Sequence, residues 1–494
     1  MGAGSEGIRD AGGLMTGMAQ PQPGAFEELV ALRGAPPPSP GEVTVTGADP
    51  FFRTPFRIGT VVSGALAATG VAANDIWELR GHPRQGVAVH LPEAAATLRT
   101  VDYTRARGED GVYRHVPIPQ TMAHMLKVTQ PWRTRNGRWF LPHLNLPALS
   151  SRVLGVLGCD STPEAVSAAV AQWDAMELEE AIAAARACGG AVRTRDEWLA
   201  HPQGAYLAGR PVVELERVGP AGPEAFRPGD RPLSGIRVLD LTRILAGPVG
   251  GRGLAEHGAD VLMVTARDLP QTPEHVRDTS HGKRSCFLDL KTTEGAARFA
   301  ELVREADVVV NGYRPGALAA LGFGMEDLAR LRPGIIQVSI SCYGSGGPFA
   351  DRAGWEQVAQ AVTGICETQG TAIGAGEPKL VFAPVCDYTT GYLATYATLL
   401  ALARRAREGG CWQVHVSLCG SAMLLQRQGV LQHFSTAPEV LTEEQLTPLE
   451  VQEHSVHGDL RTLGPVLRMT ETPPRWDRPT PPLGGDRPVW LPRA

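Results

Sequence analysis

Ile236-Arg237-Val238-Leu239-Asp240-Leu241-Thr242-Arg243-Ile244-Leu245-Ala246-Gly247-Pro248 decides the fold. Ile236 to Leu241 reads as a short apolar strand, and Gly250 to His257 after it as a helix. Further strands are predicted at Asp260 to Val264, Ser285 to Leu290, Val308 to Val310 and Ile335 to Ser341. Between them Thr293 to Arg304 places Ala296, Phe299, Leu302 and Val303 on one helical face. Strands alternating with helices predict an α/β fold with a doubly wound, mostly parallel sheet. The opening turn is not a dinucleotide turn. It lacks G-x-G-x-x-G, and the second strand ends at Val264-Thr265 without an acidic residue for a ribose.

Outward from this nucleotide-type domain, set at 233–436, the remaining stretches differ in character. Residues 1–48 are rich in Gly, Ala and Pro and read as a flexible leader without signal-peptide features. Residues 49–98 hold a helix from Ile58 to Trp77 and a strand at Val87 to Leu91. Residues 99–218 read as a smaller α+β domain. In it Asn136-Gly137 marks a hairpin, and Thr162-Pro163-Glu164 starts a helix. A linker at 219–232 and a Pro-rich tail at 437–494 complete the plan. A weak repeat runs through the chain: one shift of 327 positions carries Gly64 onto Gly391 and the strand from Val87 onto Val414. The same shift places Thr60 on Asp387, so the first copy lacks that carboxylate.

Asp387 lies in an apolar run, Ala383-Pro384-Val385-Cys386-Asp387-Tyr388, ahead of a helical stretch from Gly391 to Ala403. Its carboxylate reads either as an N-cap or as a nucleophile kept ionised by helix N–H groups. The neighbouring Cys386 reads as a buried bystander. Net charge is −5, which offers no electrostatic case for nucleic acid. No apolar run approaches about 18 residues, so no membrane helix is predicted. Eight scattered cysteines without C-x-x-C suggest neither a metal site nor a disulfide framework, and they fit a reducing cytoplasm.

Several motifs occur in order: Leu239 to Pro248, Gly258-Ala259-Asp260-Val261, Gly282-Lys283-Arg284-Ser285, Leu288-Asp289-Leu290-Lys291, Ala306-Asp307-Val308-Val309, Arg314-Pro315-Gly316-Ala317-Leu318, Leu321-Gly322-Phe323-Gly324, Tyr343-Gly344, and Asp387 with Gly391. Together they resemble the family III CoA-transferases, which include formyl-CoA transferase, carnitine CoA-transferase and α-methylacyl-CoA racemase. Arg84 to Ala95, Asn136 to Trp139 and His201-Pro202-Gln203 resemble the family more loosely. The chain is therefore similar to a tandem form with a degenerate first copy.

The resemblance implies that Asp387 is the nucleophile, forming a mixed anhydride with an acyl group taken from coenzyme A. It implies that Glu356 orients Asp387 or the substrate; a structural pair with an arginine is the other reading. Leu245 and Ala246 would line the nucleotide site, Leu288 would pack near the adenine, Lys291 would reach a phosphate, and Gly312 and Tyr313 would flank the coenzyme. Arg267 would replace the family's basic residue, which falls on Ala266. For Lys283, Arg284 and Lys291 solvated surface is an equal alternative. The family's Lys and Glu near the second strand's end are Met263 and Thr265 here. Its glycine-rich lid has Cys188-Gly189-Gly190 as the nearest candidate. Racemases carry a proton-transferring His where this chain has Trp355.

The expected function is CoA transfer between carboxylic acids, with acyl-CoA and acids as substrates, no permanently bound cofactor and no metal. A homodimer, interlocked as in the family, is the expected assembly. The alternatives are a catalytically silent CoA-binding subunit of a homologous enzyme, and an acyl-CoA racemase or isomerase on the same fold.

Overall fold

The computed structural model describes residues 24–493; the first part of the expected leader, 1–23, lies outside the described residues. The elements that build the amino-terminal part are α1 (Ala25–Ala31), β1 (Val43–Thr46), α2 (Ile58–Leu79), β2 (Val87–His90) and α3 (Leu91–Ala96). Residues 24–48 thus depart from the leader expectation. Leu29 and Val30 supply enough apolar surface to bury α1 against α2, and the Tyr396 hydroxyl donates to the Leu29 carbonyl at 2.5 Å.

The large sheet uses β3 (Val213–Gly219), β4 (Arg237–Leu241), β5 (Asp260–Thr265), β6 (Arg284–Phe287), β7 (Val308–Asn311), β8 (Ile336–Ser341) and β9 (Cys411–Ser417). Its order is β6-β5-β4-β7-β8-β9-β3. All neighbours are parallel except β3, which runs antiparallel to β9. The order reverses between β4 and β7. In a doubly wound sheet, ligands bind in the crevice at such a reversal, beyond the carboxyl ends of the strands. The helices that matter here are α4 (Ala246–Glu256), α5 (Glu356–Thr363), α6 (Val385–Glu408) and α7 (Leu418–Arg427). The strand β10 (Arg468–Met469) pairs with β2.

The two copies correspond closely at their helices and edge strands. The shift of 327 carries the first residue of α2 onto the first of α6, and the first of α3 onto the first of α7. The sheet β1-β2-β10 repeats β8-β9-β3: a parallel neighbour on one side of the shared strand and an antiparallel one on the other. Val87 pairs with Val43 as Val414 pairs with Val338.

Two other expectations are modified. Val213–Gly219, placed by sequence in the smaller domain up to Val218 and in the linker at Gly219, completes the large sheet because its backbone pairs with β9. The Pro-rich tail contains a hairpin, Glu450–Ser455 with Gly458–Leu463, whose second strand pairs with Arg105–Arg107. Between these, the hairpin at Asn136-Gly137 forms between Trp132–Arg133 and Trp139–Pro142, and Gly189–Ala191 joins it. Three helices over 147–184 cover this small sheet around Phe140, Val153, Leu178 and Ile182.

Nearly all of α2 is buried, and α6 packs along it. Each of Val61, Val62, Leu66, Val71 and Ile76 in α2 is worth roughly 1.5–3 kcal/mol when removed from water. Leu233 to Ala494 expressed alone exposes the α6 face that α2 covers. It is expected to aggregate or to lack a cooperative thermal transition, and co-expression with Met1 to Pro232 is expected to restore both. A monodisperse, cooperatively melting 233–494 fragment contradicts this.

Candidate active site

The site begins at the end of β4. The Asp240 carboxylate is buried and accepts hydrogen bonds from the Thr242 N–H at 3.0 Å and the Thr242 hydroxyl at 2.5 Å. Its second oxygen pairs with Lys283 Nζ at 2.8 Å, and Nζ also donates to the Pro248 carbonyl at 2.7 Å. Lys283 is therefore a buried strut between β4 and α4, and its partner in the motif, Arg284, pairs with Asp260 at 3.0 Å. The turn they brace places Ile244 at φ +75°. A β-branched residue there is strained, by on the order of 1–3 kcal/mol.

The second wall is the start of α6. The N–H groups that a capping aspartate would engage belong to another residue. Glu356, the first residue of α5, accepts the Cys386 N–H at 3.1 Å and the Asp387 N–H at 2.6 Å, with Gln360 Nε2 at 2.7 Å as a third donor. Asp387 is thus not the cap of its helix. Its side chain is released from that duty and lines a cavity of about 120 Å³ at the sheet reversal. Burial, and then the charge of Glu356, raises Asp387 well above the usual carboxylate range. Burial raises Glu356 too, against the opposing pull of Gln360 and the two backbone N–H donors. Burial and the same two carboxylates push the Cys386 thiol far up, which keeps it protonated and a poor nucleophile.

The first copy shows the same device. Asp49 accepts the N–H of Gly59 at 3.3 Å and of Thr60 at 2.8 Å, the positions matching Cys386 and Asp387. The Thr60 hydroxyl also donates to Asp49, at 2.8 Å.

Close approach of α4 to α6 completes the site. A Cβ on Gly391 would lie 2.6 Å from Val249 Cβ and 2.7 Å from the Ala246 carbonyl oxygen. The missing side chain lets the first turn of α4 pack against α6, one turn beyond Asp387.

Of the residues singled out by sequence, Asp387, Leu245, Ala246 and Gly312 line the one cavity. Glu356 lies buried behind it. Tyr313 follows Gly312, and its ring sits 5.7 Å from the Arg243 guanidinium. Leu288, Lys291 and Arg267 do not line the cavity: Lys291 is exposed, Arg267 lies over the Phe287 ring at 4.3 Å, and Leu288 packs into the core beside β5. Trp355, noted by sequence as standing where racemases carry a His, lines the cavity too, and so does Arg243, to which the sequence reading gave no role. Arg243 was already visible in the opening motif as the cation nearest the turn. Trp355 stacks on His143 with ring centroids 5.2 Å apart, and burial lowers His143 to about 4, so its ring is neutral. The proposed lid residues Gly189 and Gly190 are instead strand residues; a Cβ on Gly190 would lie 2.5 Å from Val362 Cγ1. No cluster of three or more His, Cys, Asp or Glu suited to a metal ion occurs among the described residues. None of the described helices is long and apolar enough to cross a membrane.

Residues 233–448 match the sequence model of CoA-transferase family III. That stretch of the chain carries the sequence pattern of the family. An acyl-CoA transferase of Gibberella moniliformis is 28% identical over 96% of both chains. An acetyl-coenzyme A transferase of Hypoxylon pulicicidum is 34% identical over 59% of this chain and 53% of its own. Human succinyl-CoA:glutarate CoA-transferase is 36% identical over 36% of this chain and 43% of its own. The chain thus spans nearly the whole of the first relative and about half of the other two.

Two stability changes follow from this geometry. Gly391→Val drives a branched side chain into Val249 and the Ala246 carbonyl, and it is expected to destabilise by about 1–3 kcal/mol or more. A melting temperature equal to wild type contradicts the close-packing account. Asp387→Asn is expected to do the reverse at neutral pH. A carboxyl whose folded pKa exceeds its unfolded value destabilises the fold once ionised, and this penalty vanishes below the unfolded pKa. The melting temperature of Asp387→Asn should therefore exceed wild type at pH 7.5, and the gap should close toward pH 4. A gap that widens on acidification contradicts the raised pKa.

Proposed function

We propose that this CoA-transferase moves coenzyme A between two carboxylic acids with Asp387 as the nucleophile. The observation that carries the reading is the Asp387 carboxylate, free of capping, at the cavity where the sheet order reverses. In the first step Asp387 Oδ attacks the thioester carbonyl, the C–S bond breaks, and an aspartyl mixed anhydride forms as the coenzyme leaves as thiolate. The thiolate then attacks the aspartyl carbonyl, releasing the first acid as its carboxylate and leaving an aspartyl thioester. The second acid attacks this thioester in turn, and the returning thiolate takes up its acyl group and restores Asp387. Each intermediate is as activated as the starting thioester, so no ATP is needed. Substrate burial would exclude the water that would otherwise hydrolyse the anhydride.

Glu356 is the positioning residue in this scheme. It fixes the backbone of Asp387 and raises its basicity. Leu245, Ala246 and Gly312 would border the coenzyme where it passes the thioester end, and Tyr313 would flank it. Leu288, Lys291 and Arg267 stand outside the cavity and would meet its nucleotide end. A silent CoA-binding subunit, suggested by Thr60 in the first copy, fits less well, because Asp387 keeps its carboxylate in the cavity. A homodimer and a cytoplasmic location belong to the same proposal.

Incubation with a competent acyl-CoA, trapping with hydroxylamine and peptide mapping by mass spectrometry should place the hydroxamate on Asp387. Hydroxamate on another residue, or a wild-type rate in Asp387→Asn, contradicts the assignment. The Trp355 indole is neither an acid nor a base near neutral pH, so a 2-methylacyl-CoA should gain no α-deuterium in heavy water. Incorporation abolished by Asp387→Ala would favour a racemase instead.

A further inference from the structure

At the end of the sheet opposite Asp387, the start of β4 and the segments that lead into β7 and β8 border a cavity of about 440 Å³. The helix α6 separates the two ends. Arg405 lies 18 residues beyond Asp387, about 27 Å along the axis at ~1.5 Å per residue. Seven arginines and three carboxylates line the cavity, in a chain of net charge −5.

The carboxylates are committed. Glu224 pairs with Arg332 at 2.6 Å, Glu305 with Arg237 at 2.6 Å, and Asp307 with Arg405 at 3.0 Å. Arg493 donates to the Gly235 and Glu305 carbonyls at 3.2 and 2.9 Å, and its nearest carboxylate is the already shared Asp307, at 3.5 Å. Arg80, Arg227 and Arg304 have no carboxylate partner among the described residues. Arg80 spends its donors on backbone carbonyls: Pro232 at 3.0 Å, Ser234 at 2.6 Å, and Arg227. Two buried donors in the lining, Nε of Arg237 and Nε of Arg405, have no acceptor. Buried donors are rarely left so.

Burial acts on two of these arginines, and like charge on one of them. Burial pulls Arg80 down to about 10. Burial lowers Arg493 as well, and Arg237, Arg227 and Arg332 add to that lowering against Asp307. Confining like-charged guanidinium groups around a void is unfavourable unless an anion joins them. Guanidinium forks match the oxygens of phosphate and carboxylate in pairs.

We propose that this cavity binds a compact multivalent oxyanion, at a site separate from the thioester site. A phosphate ester and a small polycarboxylate share the required chemistry: two or more anionic oxygens on one small body. Arg227 and Arg304 are exposed and would close over the anion from the rim, whereas Arg80, Arg237 and Arg405 are fixed by the fold.

Isothermal titration of pyrophosphate, and separately of citrate, into the full chain tests the site. Saturating coenzyme A is present to fill phosphate-binding positions at the other end, and the buffer is low in chloride. One bound anion per chain is expected, with affinity falling steeply as salt rises. The tighter of the two probes identifies the phosphate or the carboxylate class. Arg227→Glu/Arg304→Glu is expected to weaken binding at least tenfold. Arg493→Gln, a milder change at the same cavity, should weaken it several-fold. Both variants should keep the wild-type circular dichroism spectrum. Failure of both probes to bind wild type, or affinities unchanged in both variants, overturns the proposal.

Discussion

A carboxylate laid across the first two free backbone N–H groups of a long helix recurs twice in this chain. Glu356 does this for α6, and Asp49 for α2. Helix starts leave N–H groups without partners, and an acidic acceptor from outside the helix satisfies them and complements the dipole. When the acceptor is external, the residue within the first turn is free to do something else. In the second copy that residue is Asp387, turned into a cavity. In the first it is Thr60, whose hydroxyl folds back onto Asp49 and adds a structural bond. One capping arrangement thus leaves a carboxylate free to face a cavity in one copy and gives a purely structural bond in the other.

The rest of the architecture serves to bring a second helix to the same point. Gly391 removes the side chain that would hold α4 away from α6, and the Asp240–Lys283 pair fixes the turn that carries Leu245 and Ala246. Removing either partner of that pair would leave an uncompensated buried charge, which typically destabilises by about 3–5 kcal/mol. Because α2 covers α6, the degenerate copy acts as part of the core of the second. This is why the two halves form one continuous hydrophobic cluster running from Ala25 to Met469.

Much of this was legible in the sequence. The strand–helix alternation after Ile236 and the 327-residue repeat both rest on periodicity in apolar residues, which local sequence carries well. The helix beside Asp387 was legible for the same reason, although its start lies at Val385 rather than Gly391, which puts Asp387 within the first turn instead of ahead of it. The capping role of Glu356 was not, because it depends on α5 meeting α6 across 31 positions of chain. For Lys283 the sequence left solvated surface as an equal alternative, since nothing local reveals that Asp240 waits for it in the interior. The docking of α1 and the pairing of Val213–Gly219 with β9 are also long-range outcomes, decided by which edge and which apolar face remain uncovered. The cysteine-glycine-glycine run at 188–190 has a lid-like composition, yet Gly189–Ala191 forms a strand because Phe140 to Pro142 offers an edge to pair with.

The account stands on Glu356 holding and tuning Asp387, and the pH dependence of kcat/KM in wild type and Glu356→Gln measures that directly. Deprotonated Asp387 is the active form in this scheme, so activity falls as pH drops through its raised pKa. Replacing Glu356 by the neutral isostere keeps an acceptor for the N–H groups and removes the repelling charge. The account predicts that the acid limb of the profile moves to lower pH while the protein stays folded. An acid limb that stays in place, or moves to higher pH, would contradict it.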